Sequence, residues 1–411
     1  MTSAAPGIEA DRPRSAMARG SAGRRSISAL QLGLGWFPEH PGGLDRYFFE
    51  LLGALPAAGV QCRGWVAGSE AAAAATADRV QAFAPETAPL RRRLFAARSA
   101  VAHSVGRGGI DLFVSHFALY AAAAMSRARN LPAVVHFHGP WAGESRAEGS
   151  GAVACWAKAR VEGAVYRRAN RIICLSSPFE QILIRDYGIA PNRIRIIPGG
   201  VDVDRFAIPE SRREARVRLA WPTDRPIVLC VRRLVRRMGL ANLIDAAAIL
   251  RRQVPEALLL IAGRGPIKEE LQQQIAAGNL SDHVRLLGYV PDEQLPLAYR
   301  AADVTVVPSI ALEGFGLVAA ESLAAGTPAL VTPVGGLPEV VNGLGPQWIL
   351  PGPSGQQIAG RLGDILKGGV PNLSSVECAA HARARFSWPQ IALRIRNVYE
   401  EAIGLRSHTD E

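Results

Sequence analysis

The chain has 411 residues and a formal net charge of +11, from 47 lysine and arginine residues against 36 aspartate and glutamate residues. A chain of this length exceeds a single typical core, so we expect two domains of ordinary size. Hydrophobic residues make up 48% of the chain and charged residues 20%, a composition that excludes an intrinsically disordered protein. No apolar run approaches the roughly 18 residues that a membrane-spanning helix needs.

The positive charge comes almost wholly from arginine, because Lys158, Lys268 and Lys367 are the only lysines in the chain. Arginine is well suited to bidentate binding of phosphate. A basic chain admits nucleic acid, an anionic membrane or an anionic substrate as its partner. No nucleic-acid-binding motif is present, so we expect no nucleic-acid partner.

The N-terminal segment, residues 1–25, is rich in alanine, glycine, serine and arginine and has no continuous apolar core. This composition predicts a disordered basic tail and not a signal peptide. The cysteines have no CxxC spacing and most lie among apolar residues, which predicts reduced core cysteines, no metal site and a cytoplasmic location. They are Cys62, Cys155, Cys174, Cys230 and Cys378.

The pattern that follows the tail is typical of an α/β domain, which we place at residues 26–200. It opens with an apolar run at residues 29–34, a glycine-bearing loop that contains Gly42 and Gly43, and a helical stretch at residues 44–57. The paired glycines would let backbone approach a phosphate or an acceptor closely. Further strand-like runs, separated by helical stretches, predict a parallel sheet; they occupy residues 112–114, 133–137 and 171–175.

The segment Arg91–Val101 carries four arginines and interleaved apolar residues. It fits a basic amphipathic helix on anionic lipid headgroups, which would place the protein peripherally at the inner face of a membrane. It also fits an ordinary solvated helix face. We favour the solvated face, because arginine-rich faces are common in a chain of this composition.

A break in the pattern at residues 196–206 marks the junction between the domains, because proline and glycines interrupt the periodicity there. The DxD triplet that begins at Asp202 lies within it. We interpret Asp202 as a turn or cap residue and not as half of a metal-binding pair. A second α/β series follows over residues 201–387; its strand-like runs occupy residues 226–231, 257–263, 284–288 and 304–307.

Arg233 and Arg237 come directly after the first strand of the second series. Cations at a strand end are suited to a departing diphosphate, because the leaving group gains negative charge as its bond to the sugar breaks. A loop of solvated arginines is the alternative interpretation.

The most informative string runs from Glu313 to Glu321 and is followed by Gly335-Gly336-Leu337-Pro338-Glu339. Two carboxylates eight positions apart, with the second on a helix that begins after a glycine-bearing turn, can contact both ends of one extended ligand. Backbone amides at the start of that helix suit a diphosphate. Carboxylates suit the hydroxyl groups of ribose and hexose.

This string resembles the donor-binding signature of the retaining glycosyltransferases of family 4. The resemblance covers nearly the whole chain after the tail. It implies the GT-B fold, in which two Rossmann-like doubly wound parallel-sheet domains face each other across a cleft, and it implies donor binding without a metal. It also implies that a C-terminal helix, residues 388–411, crosses back to the N-terminal domain.

The resemblance further assigns roles to single residues. Arg233 matches the family arginine, and Met238 stands where the family usually has lysine, so we expect Arg237 to supply the missing charge. His138, next to Gly139, matches the family histidine near the sugar and the reacting centre. The remaining implied contacts are the amides of Phe315, Gly316 and Leu317 with the diphosphate, Glu321 with the ribose, and Glu313 with the transferred sugar.

These features predict an enzyme that transfers a hexosyl group from a nucleoside diphosphate sugar to a sugar or lipid-linked glycan, with retention and without a cofactor. Cell-surface polysaccharide or glycoconjugate synthesis is the expected process. No carboxylate presents itself as a nucleophile, so we favour substitution on the same face of the sugar. A nucleotide-sugar-binding protein without catalysis, and another GT-B enzyme such as an epimerase, are the alternatives; a phosphorylase is disfavoured because no lysine lies in a suggestive motif.

Overall fold

The computed structural model describes residues 25–40 and 42–407. The predicted tail, residues 1–25, lies outside these residues apart from Arg25. The strands within the described residues are β1 (Ile27–Leu32), β2 (Val60–Ala67), β3 (Val80–Ala84), β4 (Leu112–Ser115), β5 (Ala133–Phe137), β6 (Arg171–Cys174), β7 (Ile194–Ile196), β8 (Ile227–Val231), β9 (Leu258–Ala262), β10 (Val284–Gly288), β11 (Val304–Val307) and β12 (Ala329–Val331).

Helices connect almost all successive strands, as parallel pairing requires. They are α1 (Gly43–Ala54), α2 (Ala71–Thr76), α3 (Leu90–Gly106), α4 (Ala118–Ala124), α5 (Trp141–Ala147), α6 (Ala152–Arg168), α7 (Ser177–Tyr187), α8 (Val203–Phe206), α9 (Arg212–Arg218), α10 (Leu240–Leu250), α11 (Lys268–Ala277), α12 (Leu295–Ala301), α13 (Leu317–Ala324), α14 (Leu337–Val341), α15 (Gly355–Leu366), α16 (Ser375–Phe386) and α17 (Trp388–Ser407).

The strands form two separate parallel sheets. The first has seven strands in the order β3-β2-β1-β4-β5-β6-β7, and the second has five in the order β10-β9-β8-β11-β12. In the first sheet the strand order reverses between β1 and β4, and in the second it reverses between β8 and β11. The crevice at such a reversal, outside the carboxyl ends of the strands, is where ligands bind in open α/β sheets.

The central strands of the two sheets are buried on both faces, which explains why they read as continuous apolar runs. Strand β9 illustrates the pattern, because all five of its residues, Leu258–Ala262, are buried. All five cysteines are buried and unpaired. No helix within the described residues is long and apolar enough to span a membrane.

The last helix, α17, belongs to the core of the first domain although it follows the second in the chain. Its residues Ile391, Ile395 and Tyr399 are fully buried and pack in the same apolar cluster as Phe48 and Leu51 of α1. The helix therefore couples the two domains. The chain passes between them near Gly200, where a Cβ would lie 2.3 Å from the Trp388 ring and only glycine can be accommodated.

Candidate active site

The residues that follow β8 and β11 meet because these strands are neighbours in the second sheet. Arg232 follows β8 directly, and Ser309 and Glu313 lie just after β11. The Arg232 guanidinium pairs with the Glu313 carboxylate and contacts the Ser309 hydroxyl. Ser309 Oγ also lies 3.0 Å from Glu313 Oε2. The carboxylate that was predicted to bind the sugar is therefore held by a cation that the sequence did not single out.

The turn after Glu313 leads into α13. Gly316 adopts φ +95°, and a Cβ there would lie 2.4 Å from Leu337 Cδ2, so glycine is required on both grounds. Phe315 is buried, and its ring packs against Phe386 with 5.3 Å between the ring centroids. The first amides of α13, which begins at Leu317, have no acceptor within the helix and are available to an anion.

The two predicted arginines occupy different environments. Arg233 is exposed, and no hydrogen bond or ion pair of its side chain is found among the described residues. Partial burial and the neighbouring Arg237 lower its pKa. Arg237 is buried and donates to the Leu312 carbonyl at 3.1 Å and to Glu144 Oε1 at 3.3 Å. Arg233 is thus left open to solvent, whereas Arg237 connects the second domain to α5 of the first.

Glu321 lies on α13, and only 4% of the residue is exposed. Arg46 of α1 donates to its Oε1 at 2.9 Å, and the Tyr299 hydroxyl donates to its Oε2 at 2.8 Å. Each carboxylate oxygen can accept more than one hydrogen bond. Ribose binding by Glu321 stays a prediction, and it requires the ribose to share this carboxylate with Arg46.

On the opposite side of the cleft, three histidines form a stack at the carboxyl ends of β4 and β5. His116 follows β4, His136 lies within β5 and His138 follows β5; the His116 and His136 ring centroids are 4.4 Å apart. Nitrogen or oxygen atoms at such spacing can hold a metal ion, and one nitrogen from each ring lies within 4.8 Å of the others. Five of the six ring nitrogens already have hydrogen-bond partners in the protein, and His138 Nδ1 is the exception.

The hydrogen bonds of the stack bear on which nitrogen of His138 carries the proton. Gln31 Oε1 lies 3.0 Å from His116 Nε2, and His116 Nδ1 lies 3.2 Å from His138 Nε2. If the Gln31 oxygen accepts from His116, then His116 Nδ1 accepts from His138, and His138 Nδ1 remains as an acceptor for a substrate hydroxyl. Burial lowers the pKa of His138 to about 3, so the ring is neutral at ordinary pH.

The glycine-bearing loop before α1 is held by a single buried carboxylate. Asp45 accepts from the Gly35 amide at 2.8 Å and lies 2.5 Å from His40 Nδ1. The hydrogen bond to Asp45 is the main cause of the raised pKa of His40. Gly42 caps α1, and a Cβ at Gly43 would meet no atom within 4 Å. The loop leaves open space at Gly43, which fits the predicted close approach of a ligand.

Two family models match this chain in succession. "Glycosyltransferase Family 4" matches residues 41–205, and "Glycosyl transferases group 1" matches residues 211–384. The chain belongs to glycosyltransferase family 4. Together the two matches cover every predicted site residue and every strand except β1.

Individual relatives of this family 4 glycosyltransferase agree with the assignment. The present chain is 34% identical over 252 residues to a D-inositol 3-phosphate glycosyltransferase from Streptomyces scabiei, and the match covers 59% of this chain and 56% of that one. It is 37% identical over 177 residues to a GDP-mannose-dependent α-(1-6)-phosphatidylinositol monomannoside mannosyltransferase from Mycolicibacterium smegmatis, covering 41% and 46%. The chain therefore spans about half the length of these relatives.

The solved structures establish the fold. The Anabaena protein HepE, determined in complex with UDP and glucose, superposes with a TM-score of 0.75 at 20% identity, covering 91% of this chain and 100% of that one. This family 4 glycosyltransferase thus has the GT-B fold, with two parallel-sheet domains that meet at a cleft.

Sequence reasoning missed His116, Arg232, Asp45 and Arg46. His116 could have been found, because it comes two residues after the apolar run at residues 112–114, and strand ends share one edge of the sheet. Arg232 could have been weighed beside its neighbour Arg233. Asp45 and Arg46 carried no signal, because an acidic and a basic residue in the first turn of a helix are ordinary.

Proposed function

We propose that this family 4 glycosyltransferase transfers a hexosyl group, with retention of anomeric configuration, from a nucleoside diphosphate sugar to a sugar or lipid-linked glycan. The observation that carries the proposal is the position of Glu313, whose carboxylate lies beside a cation and directly before the amides that open α13. A carboxylate for hydroxyls next to amides for a diphosphate matches the two ends of such a donor. The Anabaena structure with UDP and glucose supports this donor class.

The chemistry follows from the groups in the cleft. The bond between sugar C1 and the diphosphate oxygen breaks, and the electron pair leaves with the diphosphate, where Arg233 and the α13 amides stabilise the added charge. The acceptor oxygen then bonds to C1 on the same face, and its proton passes to the departing phosphate oxygen. No protein nucleophile is required in this route. His138, neutral and with Nδ1 as an acceptor, orients a sugar hydroxyl.

The acceptor is proposed to be a glycan or lipid-linked glycan of cell-surface polysaccharide or glycoconjugate synthesis. The Mycolicibacterium relative acts, by its name, on a phosphatidylinositol mannoside, which is a glycolipid. The glycine-bearing loop at Gly42 and Gly43 borders the cleft on the first domain and leaves room for an acceptor.

We also propose that the enzyme works in the cytoplasm, at the inner face of an anionic membrane. On α3, Arg91 and Arg92 are exposed beside Phe95, whose side chain is 72% exposed. On α6, Trp156 is 64% exposed. Helix α4 contacts both α3 and α6, so the two helices lie on the same side of the first sheet. Arginines beside exposed aromatic rings favour the boundary between headgroups and acyl chains.

The donor is identified by thermal stabilisation with UDP, GDP and ADP sugars, since a ligand that binds the folded protein raises its apparent stability. A sugar that stabilises is then tested for transfer, and the anomeric configuration of the product is read by NMR. We expect one class of nucleotide sugar to stabilise and to be turned over with retention. Inversion would contradict the mechanism, and binding without transfer to any acceptor or to water would favour the nucleotide-sugar-binding alternative.

A further inference from the structure

Arg232 has a fixed position at the cleft. Its amide donates to the Ala262 carbonyl at 2.9 Å, which extends the pairing of β8 with β9 by one residue. A Cβ on Gly263 would lie 1.8 Å from the Arg232 carbonyl oxygen, so the two backbone segments are in close contact there. The backbone of Arg232 is therefore held on both sides, and its guanidinium emerges at the strand end where the ligand is expected.

The guanidinium is buried but not fully satisfied. The Arg232 side chain is 7% exposed and the Glu313 side chain 13%. One terminal nitrogen of Arg232 contacts Glu313 and Ser309, while Nε is buried and has no hydrogen-bond partner among the described residues. A buried donor without a partner is costly unless a ligand completes it. Arg232 therefore has a hydrogen-bond donor beside Glu313 that an anion could use.

Met238 approaches the same point from another direction. Its Sδ lies 3.9 Å from Ser309 Oγ, the hydroxyl that Arg232 also contacts. A thioether has no charge, so the charge at this point comes from Arg232 alone among these side chains. Arg237, one residue away in the chain, is turned toward Glu144 instead.

The charges near the donor require such a cation. Glu313, which is proposed to hold the sugar, carries a negative charge directly beside the turn whose amides are proposed to hold the diphosphate. The Glu313 carboxylate and a diphosphate bound at these amides would repel each other in a partly buried site. A guanidinium between them neutralises the carboxylate and can donate to a phosphate oxygen from its remaining N–H groups.

We propose that Arg232 is a further substrate-binding residue, which binds the diphosphate of the donor together with Arg233 while it holds Glu313. The proposal rests on the proposed function, because it requires a nucleoside diphosphate in the cleft. It also follows that a cation placed at position 238 can take over the role, because the side chains of positions 232 and 238 converge on Ser309.

The test is calorimetric binding of UDP, GDP and ADP, and of the matching nucleosides, to wild-type protein and to three variants. Arg232→Met removes the charge and keeps the volume. Arg232→Met with Met238→Lys restores a charge from the other position. Arg236→Met is the matched control, because this arginine lies in the same loop, is 72% exposed and pairs with Glu270 on the far side.

We expect Arg232→Met to weaken binding of the preferred diphosphate by about 10- to 100-fold, the range for a hydrogen bond to a charged group. Affinity for the matching nucleoside should change less than about 3-fold, since the proposal assigns Arg232 to the diphosphate and not to the base or the ribose. The added Met238→Lys change should recover at least about 10-fold, and Arg236→Met should bind as wild type does.

Unchanged diphosphate affinity in Arg232→Met, with turnover reduced, would show that Arg232 serves Glu313 alone and would overturn the proposal. An equal loss for diphosphate and nucleoside would overturn it too, because that pattern indicates a general structural role. If Arg232→Met does not fold, Arg232→Gln is measured in its place, as it keeps a donor toward Ser309. A wild-type protein that binds none of the three diphosphates would instead refute the proposed function.

Discussion

Arg46 of the first domain donates a hydrogen bond to Glu321 of the second at 2.9 Å. The two side chains are 9% and 5% exposed, respectively. The same guanidinium pairs with Asp292, which Arg205 also contacts at 2.8 Å. A helix in one domain thereby holds the carboxylate that is predicted to bind the ribose in the other. This interdomain contact and the predicted ribose contact therefore share the Glu321 carboxylate.

The first prediction concerns the stability of this contact. Arg46→Met leaves the buried Glu321 carboxylate without its cation, whereas Asp292 keeps Arg205; removing one partner of a buried pair costs about 3–5 kcal/mol. Urea unfolding measures the change. Arg185→Met is the control, because its pair with Asp186 is exposed to solvent and contributes little to stability. A similar small loss in both variants would show that the interdomain ion pair contributes little to folding.

The contact of Arg46 with Glu321 could not have been predicted from the sequence, because it joins residues 275 positions apart and depends on how the domains meet. Periodicity found the apolar strands such as β5 and β9, whose residues are all buried. It missed β2, the second strand from the edge of its sheet, where Gln61 and Arg63 are exposed on one face. It also missed β12, which has only three residues.

The candidate site was predictable to the extent that strand ends and motifs are local. Glu313 and His138 follow strands β11 and β5, and their positions at the cleft follow from the sheet topology. The sequence could not show that Arg232 contacts Glu313 and that Arg237 does not, since this depends on which way each side chain points in a loop. A turn of 3₁₀ helix over residues 236–238 directs Arg237 toward Glu144.

The second prediction concerns turnover. Glu313→Gln removes the charge that is proposed to hold the sugar, and we expect transfer to slow by about 100-fold or more, the scale for loss of one preorganised polar group at a reacting centre. Arg91→Ala, on an exposed face of α3, should leave the rate near that of the wild type. Initial rates with the identified donor and acceptor measure both. Comparable rates for the two variants would refute the role of Glu313.

The third prediction concerns stability at acid pH. Burial lowers the pKa of His138 to about 3 and, with the neighbouring histidines, lowers the pKa of His116 and of His136 well below the ordinary 6.5. These rings are neutral in the folded protein and take up protons on unfolding below pH 6.5. The free energy of unfolding is therefore highest above that pH and falls as pH decreases, by up to about 1.4 kcal/mol per pH unit for each ring.

Comparison of variants isolates this effect, because Glu50 titrates in the same range with the opposite sign. Burial raises the pKa of Glu50 to about 7, so the folded protein binds a proton there that the unfolded chain releases. The free energy of unfolding in urea is measured between pH 5 and 6.5. Its slope against pH should correspond to about one proton fewer in His116→Gln than in the wild type. The control His103→Gln changes an exposed residue of α3. Equal slopes in the two variants would contradict a neutral buried stack.

The fourth prediction concerns the membrane. Phe95→Ser with Trp156→Ser removes two exposed rings, at 72% and 64% exposure, from the face that carries Arg91 and Arg92. We expect co-sedimentation with phosphatidylglycerol vesicles to fall several-fold, and wild-type binding to weaken with salt, because each arginine near an anionic surface contributes about 1 kcal/mol that salt screens. Phosphatidylcholine vesicles should bind little.

The matched control for the membrane experiment is Leu393→Ser, which changes a residue of α17 that is 50% exposed and lies away from α3 and α6. This variant should co-sediment as the wild type does, because its surface lacks the combination of arginines and aromatic rings. Binding that is lost equally in Leu393→Ser would point to general adhesion of exposed apolar residues. Wild-type protein that stays in the supernatant with anionic vesicles would leave α3 as an ordinary solvated face, the interpretation that composition alone favours.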